Sequence, residues 1–476
     1  MKLGKTKINL IYSITHQLLI LLQPLIITPY ISRALGADGI GEHSFSFAIA
    51  QYFVLITMLG LSNFGNRSIA RIKENKEQLS QKFSNLFSMQ VIMGIFSIIS
   101  YLLIVVFGVN NPIFWIQTVF VISSVFDITW FFFGMEEFKI VVTRNTAVRI
   151  LTIISILVFV NEEADLWKYT LIMALGFLLS NISLWPTLKK HIHFSKPQLN
   201  EILLLFKPNL LMFIPVISVG LYKHMNRIIL GSVSTMTEVG LFENATRLTS
   251  LPLVVLISFS KVMLPKMSNM ATKESNGNGL KNIIGKSMVG VMFFTNAAAF
   301  GLALIAEEFA PLFFGLEFER AGVLITYLAP MIIFVGWANI IRTQYLIPYM
   351  KENVFVVAMS IGAALNIALS LLLIPIHGAM GAVIAIVVTE LFVALYQTWA
   401  VRKELPFGEY FKKSLPFFFS GIVMYGVGSL IFSQLEINGW IAVIFKALVS
   451  VIVYFGIIGF YYIKIKKVNI KELLTR

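Results

Sequence analysis

Four cations stand in stretches that are otherwise apolar: Arg33, Lys223, Arg227 and Arg247. An arginine presents a planar fork of donors to carboxylate or phosphate oxygens, and a lysine presents a compact point charge. Lys223 and Arg227 are four residues apart, which on a helix puts them on one face. The chemistry such a set can do is recognition of an anion, not bond making. An ionisable group in hydrocarbon costs at least about 2.5 to 3.5 kcal/mol at a helix centre, so one that persists faces a wet cavity or a partner. Two plainer readings stand beside this one: Arg33 and Arg227 can snorkel to outer headgroups, and Arg247 can pair with Glu243 one turn away.

Other ionisable groups fall at similar depth. Glu390 sits near the middle of an apolar run, where a carboxylate must be protonated, paired or facing water; proton or cation coupling is one role, and a structural hydrogen bond from the neutral acid is the alternative. Asp127 and Arg149 are expected to form a structural intramembrane ion pair. Lys261 and Lys286 lie near helix ends and are expected to snorkel. His16 could titrate near neutral pH, or be a satisfied interhelical histidine. Gly285-Lys286-Ser287 imitates the end of a phosphate-binding loop, but the preceding glycine is misplaced and no strand comes before it. The six histidines and the carboxylates show no metal-ligand spacing, so neither a metal nor a catalytic residue is expected. The chain has no cysteine, which excludes disulfides and thiolate metal sites.

Helices of bilayer length must position these groups. With 57% hydrophobic and 13% charged residues and a mean hydropathy of +0.81, little length remains outside the membrane. Hydropathy and loop polarity place about fourteen spans: 8–31, 41–63, 83–108, 112–134, 140–160, 166–187, 208–231, 238–265, 283–306, 320–341, 353–374, 378–401, 414–433 and 439–463. An all-α integral membrane fold follows, because every backbone donor in lipid must pair within its own segment or in a closed barrel, and these runs are too long for barrel strands. With the N-terminus inside, 28 of the 38 Lys and Arg residues fall on cytoplasmic segments, Arg342 among them. The positive-inside rule then puts both termini in the cytoplasm. The net charge of +14 reads as contact with membrane lipid headgroups, not as a nucleic-acid footprint, since it is spread over many short loops. The basic start before an apolar run resembles a signal peptide. Its length and the lack of a small-x-small site make it a retained first span.

The halves echo one another. Arg33-Ala34-Leu35-Gly36 followed by Gly41 corresponds to Arg227-Ile228-Ile229-Leu230-Gly231 followed by Gly240, and Pro24 and Pro29 correspond to Pro208 and Pro215. Six spans separate the two units, an even number, as in parallel repeats about an axis along the membrane normal. The organisation expected is an N-lobe with its cytoplasmic linker at 1–207, a C-lobe at 208–401, and two further spans with a cytoplasmic tail at 402–476. A secondary transporter is the default for such a chain.

Several segments resemble a known family. Pro29-Tyr30-Ile31-Ser32-Arg33-Ala34-Leu35-Gly36-Ala37-Asp38-Gly39-Ile40-Gly41, Asn226-Arg227-Ile228-Ile229-Leu230-Gly231, Glu238-Val239-Gly240-Leu241-Phe242, Leu264-Pro265-Lys266-Met267 and His377-Gly378-Ala379-Met380-Gly381-Ala382-Val383 are similar to the Wzx-type polysaccharide flippases of the MOP superfamily, relatives of MATE transporters and lipid II flippases. The resemblance implies two six-helix lobes around a central cavity and alternating access. It also implies movement of an undecaprenyl-diphosphate-linked oligosaccharide from the inner to the outer leaflet of a bacterial cytoplasmic membrane. On that reading Arg33, Lys223, Arg227 and Arg247 would hold the diphosphate, proton or sodium coupling would drive the cycle, no cofactor would be needed, and the chain would act as a monomer alongside the polymerase and export machinery. Ser32 to Gly36 and Asn244-Ala245-Thr246-Arg247-Leu248 are similar to lipid II flippase segments whose arginines face the cavity. Two departures matter. Ala37-Asp38-Gly39 replaces a second arginine common in those flippases, and Asn226, where many relatives have aspartate, cannot carry a proton. The competing readings are a MATE-like multidrug antiporter, which would favour acidic cavity residues, and a membrane-embedded enzyme or scaffold of polysaccharide assembly. The enzyme is disfavoured by the absence of a large outer loop and of a clustered acid/base pair.

Overall fold

The computed structural model describes residues 5–193, 195–273, 278–435 and 437–465, with side chains from Pro24 onward except at 215, 222, 223, 273, 278, 464 and 465. The expectations for Lys223 and His16 therefore lie outside the described residues. The described residues are all-helical, without strands. In order, the α-helices are α1 (Lys5–Met58), α2 (Leu61–Ile72), α3 (Lys76–Ile104), α4 (Pro112–Val125), α5 (Thr129–Gly134), α6 (Phe138–Phe159), α7 (Leu166–Ile182), α8 (Trp185–Leu188), α9 (Leu199–Val233), α10 (Met236–Lys273), α11 (Asn278–Phe314), α12 (Glu319–Leu328), α13 (Pro330–Ile341), α14 (Glu352–His377), α15 (Ala379–Ala400), α16 (Phe407–Ser433) and α17 (Gly439–Phe460).

Among the described residues, 11 helices are long and apolar enough to cross a membrane, or 12 if the pair Leu316–Leu328 and Pro330–Leu346, bent by 42°, is one span. This is a multi-pass membrane protein. The single helix α1 carries the first expected span, 8–31, and most of the second, 41–63. They are fused by hydrogen bonding but broken in direction at Gly36 (φ 65, ψ 179), a conformation that a side chain would strain. Burial is inverted relative to a water-soluble protein. On α3, Ile95, Phe96 and Ile99 are more than half exposed, whereas Gln90 is fully buried. With hydrocarbon as the solvent, apolar side chains lose nothing by facing outward and polar ones must find partners inside.

The chain forms two compact units, Met1–Gly240 and Leu241–Arg476. The division falls within α10, and α9 packs against α1, α2 and α3 of the first unit. A Cβ on Gly60 would lie 2.3 Å from the Asn209 carbonyl oxygen, and one on Gly220 would lie 2.5 Å from Leu55.

The fourth span shows how a polar residue can hold a broken helix. Between α4 and α5 the chain loses its helical hydrogen bonds, and the freed carbonyls need donors. Gln90 Nε2 donates to Ser124 O at 2.8 Å, Val125 O at 3.2 Å and Asp127 O at 2.9 Å. Asn181 serves Ser123 O, and Trp185 serves Phe126 O. Gln90 is itself fixed by Trp130 Nε1, which donates to its Oε1 at 3.0 Å. Asp127 starts the next helix, accepting from the Thr129 amide at 2.9 Å and its hydroxyl at 2.6 Å.

That arrangement overturns the expected Asp127 and Arg149 ion pair. The Asp127 carboxylate closes a local turn onto Thr129, and the cation whose charge acts on it is Arg144, which also donates to Ser180 O. Arg149 makes no ion pair among the described residues, and one of its terminal nitrogens has no hydrogen-bond partner. In the second unit, Glu308 lies beyond the expected span 283–306 but within α11, and it pairs with Lys446 of α17. Lys446 is almost fully buried and sits 5.3 Å over the Phe432 ring.

Candidate functional site

In the first unit, Arg33 is exposed, one turn before the break at Gly36. Arg227 is half-buried on α9, and its charge reaches Tyr52 on the second limb of α1. The Tyr52 hydroxyl donates to Gly220 O at 3.3 Å, and its ring meets His224 edge-on at 6.3 Å. Asn226 beside them is buried.

The glycines matched between the repeats touch each other. A Cβ on Gly41 would lie 1.8 Å from Met236 O, and one on Gly240 would lie 1.9 Å from Ala37 O, with Gly41 N at 3.2 Å. The start of the second span and the start of α10 therefore cross backbone to backbone. Thr237 Oγ1 donates to Asp38 Oδ1 at 2.8 Å across the same crossing.

In the second unit, Arg247 Nε donates to Glu243 Oε1 at 2.7 Å, one turn earlier on α10. The Glu243 side chain is 9% exposed and that of Arg247 is 28% exposed, so the guanidinium keeps an open face while its acid partner is enclosed. Of the two readings of Arg247, the pair with Glu243 is present.

Sequence reasoning missed Arg342. It was assigned to a cytoplasmic loop because a charge at the end of an apolar run terminates a hydropathy window. It opens a π-helical turn, Arg342–Leu346, and its charge interacts with Glu390 at the middle of α15. Arg342 Nη2 donates to Asn339 Oδ1 at 2.7 Å, Asn339 Nδ2 donates to Ser260 Oγ at 2.5 Å, and the guanidinium lies 5.2 Å over the Phe355 ring. Glu390 is half-buried. The recurrence of Asn339 and Arg342 one turn apart just inside a span was the available signal. Among the described residues, no group of three His, Asp or Glu could hold a metal ion.

Residues 7–271, more than half of the chain, match the family of polysaccharide biosynthesis proteins. The chain belongs to that family. A Shigella dysenteriae protein named as an O-antigen transporter is 22% identical over 388 residues, which is 80% of this chain and 96% of that protein. The fold is that of the lipid II flippase MurJ in an inward closed conformation, with a TM-score of 0.71 at 16% identity over 95% of this chain and 98% of that one. An inward-facing multidrug resistance MATE transporter of the MOP superfamily gives 0.63 at 14% identity, over 81% and 97%. These polysaccharide-family, MurJ-like and MATE-like matches agree with the Wzx-type MOP resemblance read from the motifs, and the proteins they name are transporters and flippases, not enzymes.

Proposed function

We propose that this member of the polysaccharide biosynthesis family flips an undecaprenyl-diphosphate-linked oligosaccharide repeat unit from the inner to the outer leaflet of a bacterial cytoplasmic membrane by alternating access. The observation that carries the reading is the sign of the intramembrane charge in a chain of this family. Arg33, Arg227 and Arg247 are cations presented by spans, and forked donors suit a diphosphate. We assign the diphosphate to them and to Lys223, with the lipid tail left in the bilayer. Glu390, facing Arg342, is the group we assign to proton or sodium coupling. Fourteen spans with both termini cytoplasmic, and a monomer working beside the polymerase and export machinery, complete the proposal.

The MATE-like fold keeps a multidrug antiporter as the second reading. One experiment separates the two: delete the gene in its host, quantify surface polysaccharide, and measure lipid-linked repeat units in each leaflet. Loss of surface polymer with accumulation in the inner leaflet, restored by the wild-type chain, is the expected result. Normal polymer with altered sensitivity to cationic drugs would move the assignment to the antiporter.

A further inference from the structure

The false phosphate loop at Gly285-Lys286-Ser287 lines a real cavity. About 1120 Å³ in volume, it lies in the second unit between the starts of α11 and α16 and the end of α17. Three lysines, Lys281, Lys286 and Lys413, line it against one carboxylate, Glu409. Lys413 meets Glu409 at a loose 3.4 Å, and Lys286 is exposed with no ion pair or hydrogen bond among the described residues.

All three walls change character in the same direction. On α11 the stripe at four-residue spacing runs Lys281, Gly285, Val289, Phe293; on α16 it runs Glu409, Lys413, Phe417; Tyr462, in the π-helical turn that follows α17, stands beyond Ile458 of α17. At 1.5 Å per residue, Lys281 to Phe293 covers about 18 Å, close to the depth of one leaflet's hydrocarbon, about 15 Å. A cationic mouth therefore opens onto an apolar slot of leaflet depth. Gly290 keeps the slot open, since a Cβ there would meet nothing within 4 Å.

We infer that this cavity binds an anionic glycerophospholipid, with its phosphate between Lys286 and Lys413 and an acyl chain laid against Phe293 and Phe417. Three lysines against one carboxylate favour a headgroup of net negative charge over a zwitterionic one, and basic pockets between transmembrane helices are suited to such headgroups. The inference rests on the membrane-spanning reading; its readout is lipid retention, so it stands or fails apart from the assignment of cargo.

The test uses the purified full chain in mild detergent, titrated with phosphatidylglycerol or phosphatidylcholine, with bound lipid counted by native mass spectrometry. Wild type should retain one phosphatidylglycerol in preference to phosphatidylcholine. Lys286→Gln and Lys413→Gln should each weaken retention about fivefold, the worth of one lysine at a membrane surface. Gly290→Leu, whose Cβ would meet nothing within 4 Å and whose longer side chain enters the slot, should lose that lipid while remaining monodisperse. Equal retention of both lipids by wild type, or unchanged phosphatidylglycerol retention by Gly290→Leu, would overturn the site. So would a site that takes undecaprenyl diphosphate in place of phosphatidylglycerol, since it would then belong to the cargo.

Discussion

Gly41 and Gly240, which echo one another in the sequence, pack directly against each other's backbone. Because the atoms that would clash are carbonyl oxygens, no rotamer change can relieve a substitution. Gly240→Ala should cost about 3 kcal/mol, the upper end of the range for overpacking, read as a lowered melting temperature in detergent. Gly290→Ala, made into open space, should stay within about 1 kcal/mol of wild type. Equal melting of the two variants would show that the crossing is not tight.

Arg247→Ala should abolish export while the protein still inserts. It should also lower stability by about 1 to 3 kcal/mol, because the enclosed Glu243 carboxylate loses its bond to the Arg247 guanidinium. Combining it with Glu243→Gln should restore melting but not export. Recovery of export in the double variant would mean that Arg247 serves only the ion pair.

Glu390→Gln should flatten the pH dependence of transport in vesicles, and Arg342→Ala should do the same by removing the opposing charge. The double variant should be clearly less than additive, with a coupling of 0.5 kcal/mol or more, roughly the threshold for residues in one network. An unchanged pH profile in Glu390→Gln would take this carboxylate out of coupling.

Outside the spans, Glu404 accepts from both Lys351 Nζ and the Tyr345 hydroxyl. Burial alone would raise its pKa, but the Lys351 and Tyr345 hydrogen bonds outweigh burial and hold the carboxyl below the usual glutamate range. A depressed acid stabilises the fold above its unfolded pKa of about 4.3 and loses that contribution as pH falls through its folded value. Melting of wild type should therefore drop between neutral and acid pH more steeply than that of Glu404→Gln. Both groups of the Lys351 and Glu404 pair are 36% exposed, so the effect should be small and reduced by salt.

Much of the fold was legible because hydrocarbon demands continuous apolar runs, and composition alone reveals those. The break at Gly36 was visible as a glycine between two runs. What hydropathy could not supply was partner choice. Asp127 was matched to Arg149 by depth, when Asp127 and Thr129, two residues apart, already suggested a local turn. Arg342 was lost because a window average ends where a charge begins, and Glu308 was placed outside its span for the same reason. Depth along a helix can be read from one chain; the direction a side chain faces depends on the neighbours it packs against.

The seal around Gln90 bears on how the protein is made. A span that carries all its own hydrogen bonds can enter a bilayer alone, but the fourth cannot, since its middle carbonyls are bonded by side chains of α3, of α7 and of Trp185 in α8. The α7 and α8 partners are synthesised after it. On this geometry the fourth span is completed from both directions of the ribosome's order of delivery: Gln90, made before it, bonds three of its carbonyls, and Asn181 and Trp185, made after it, bond two more.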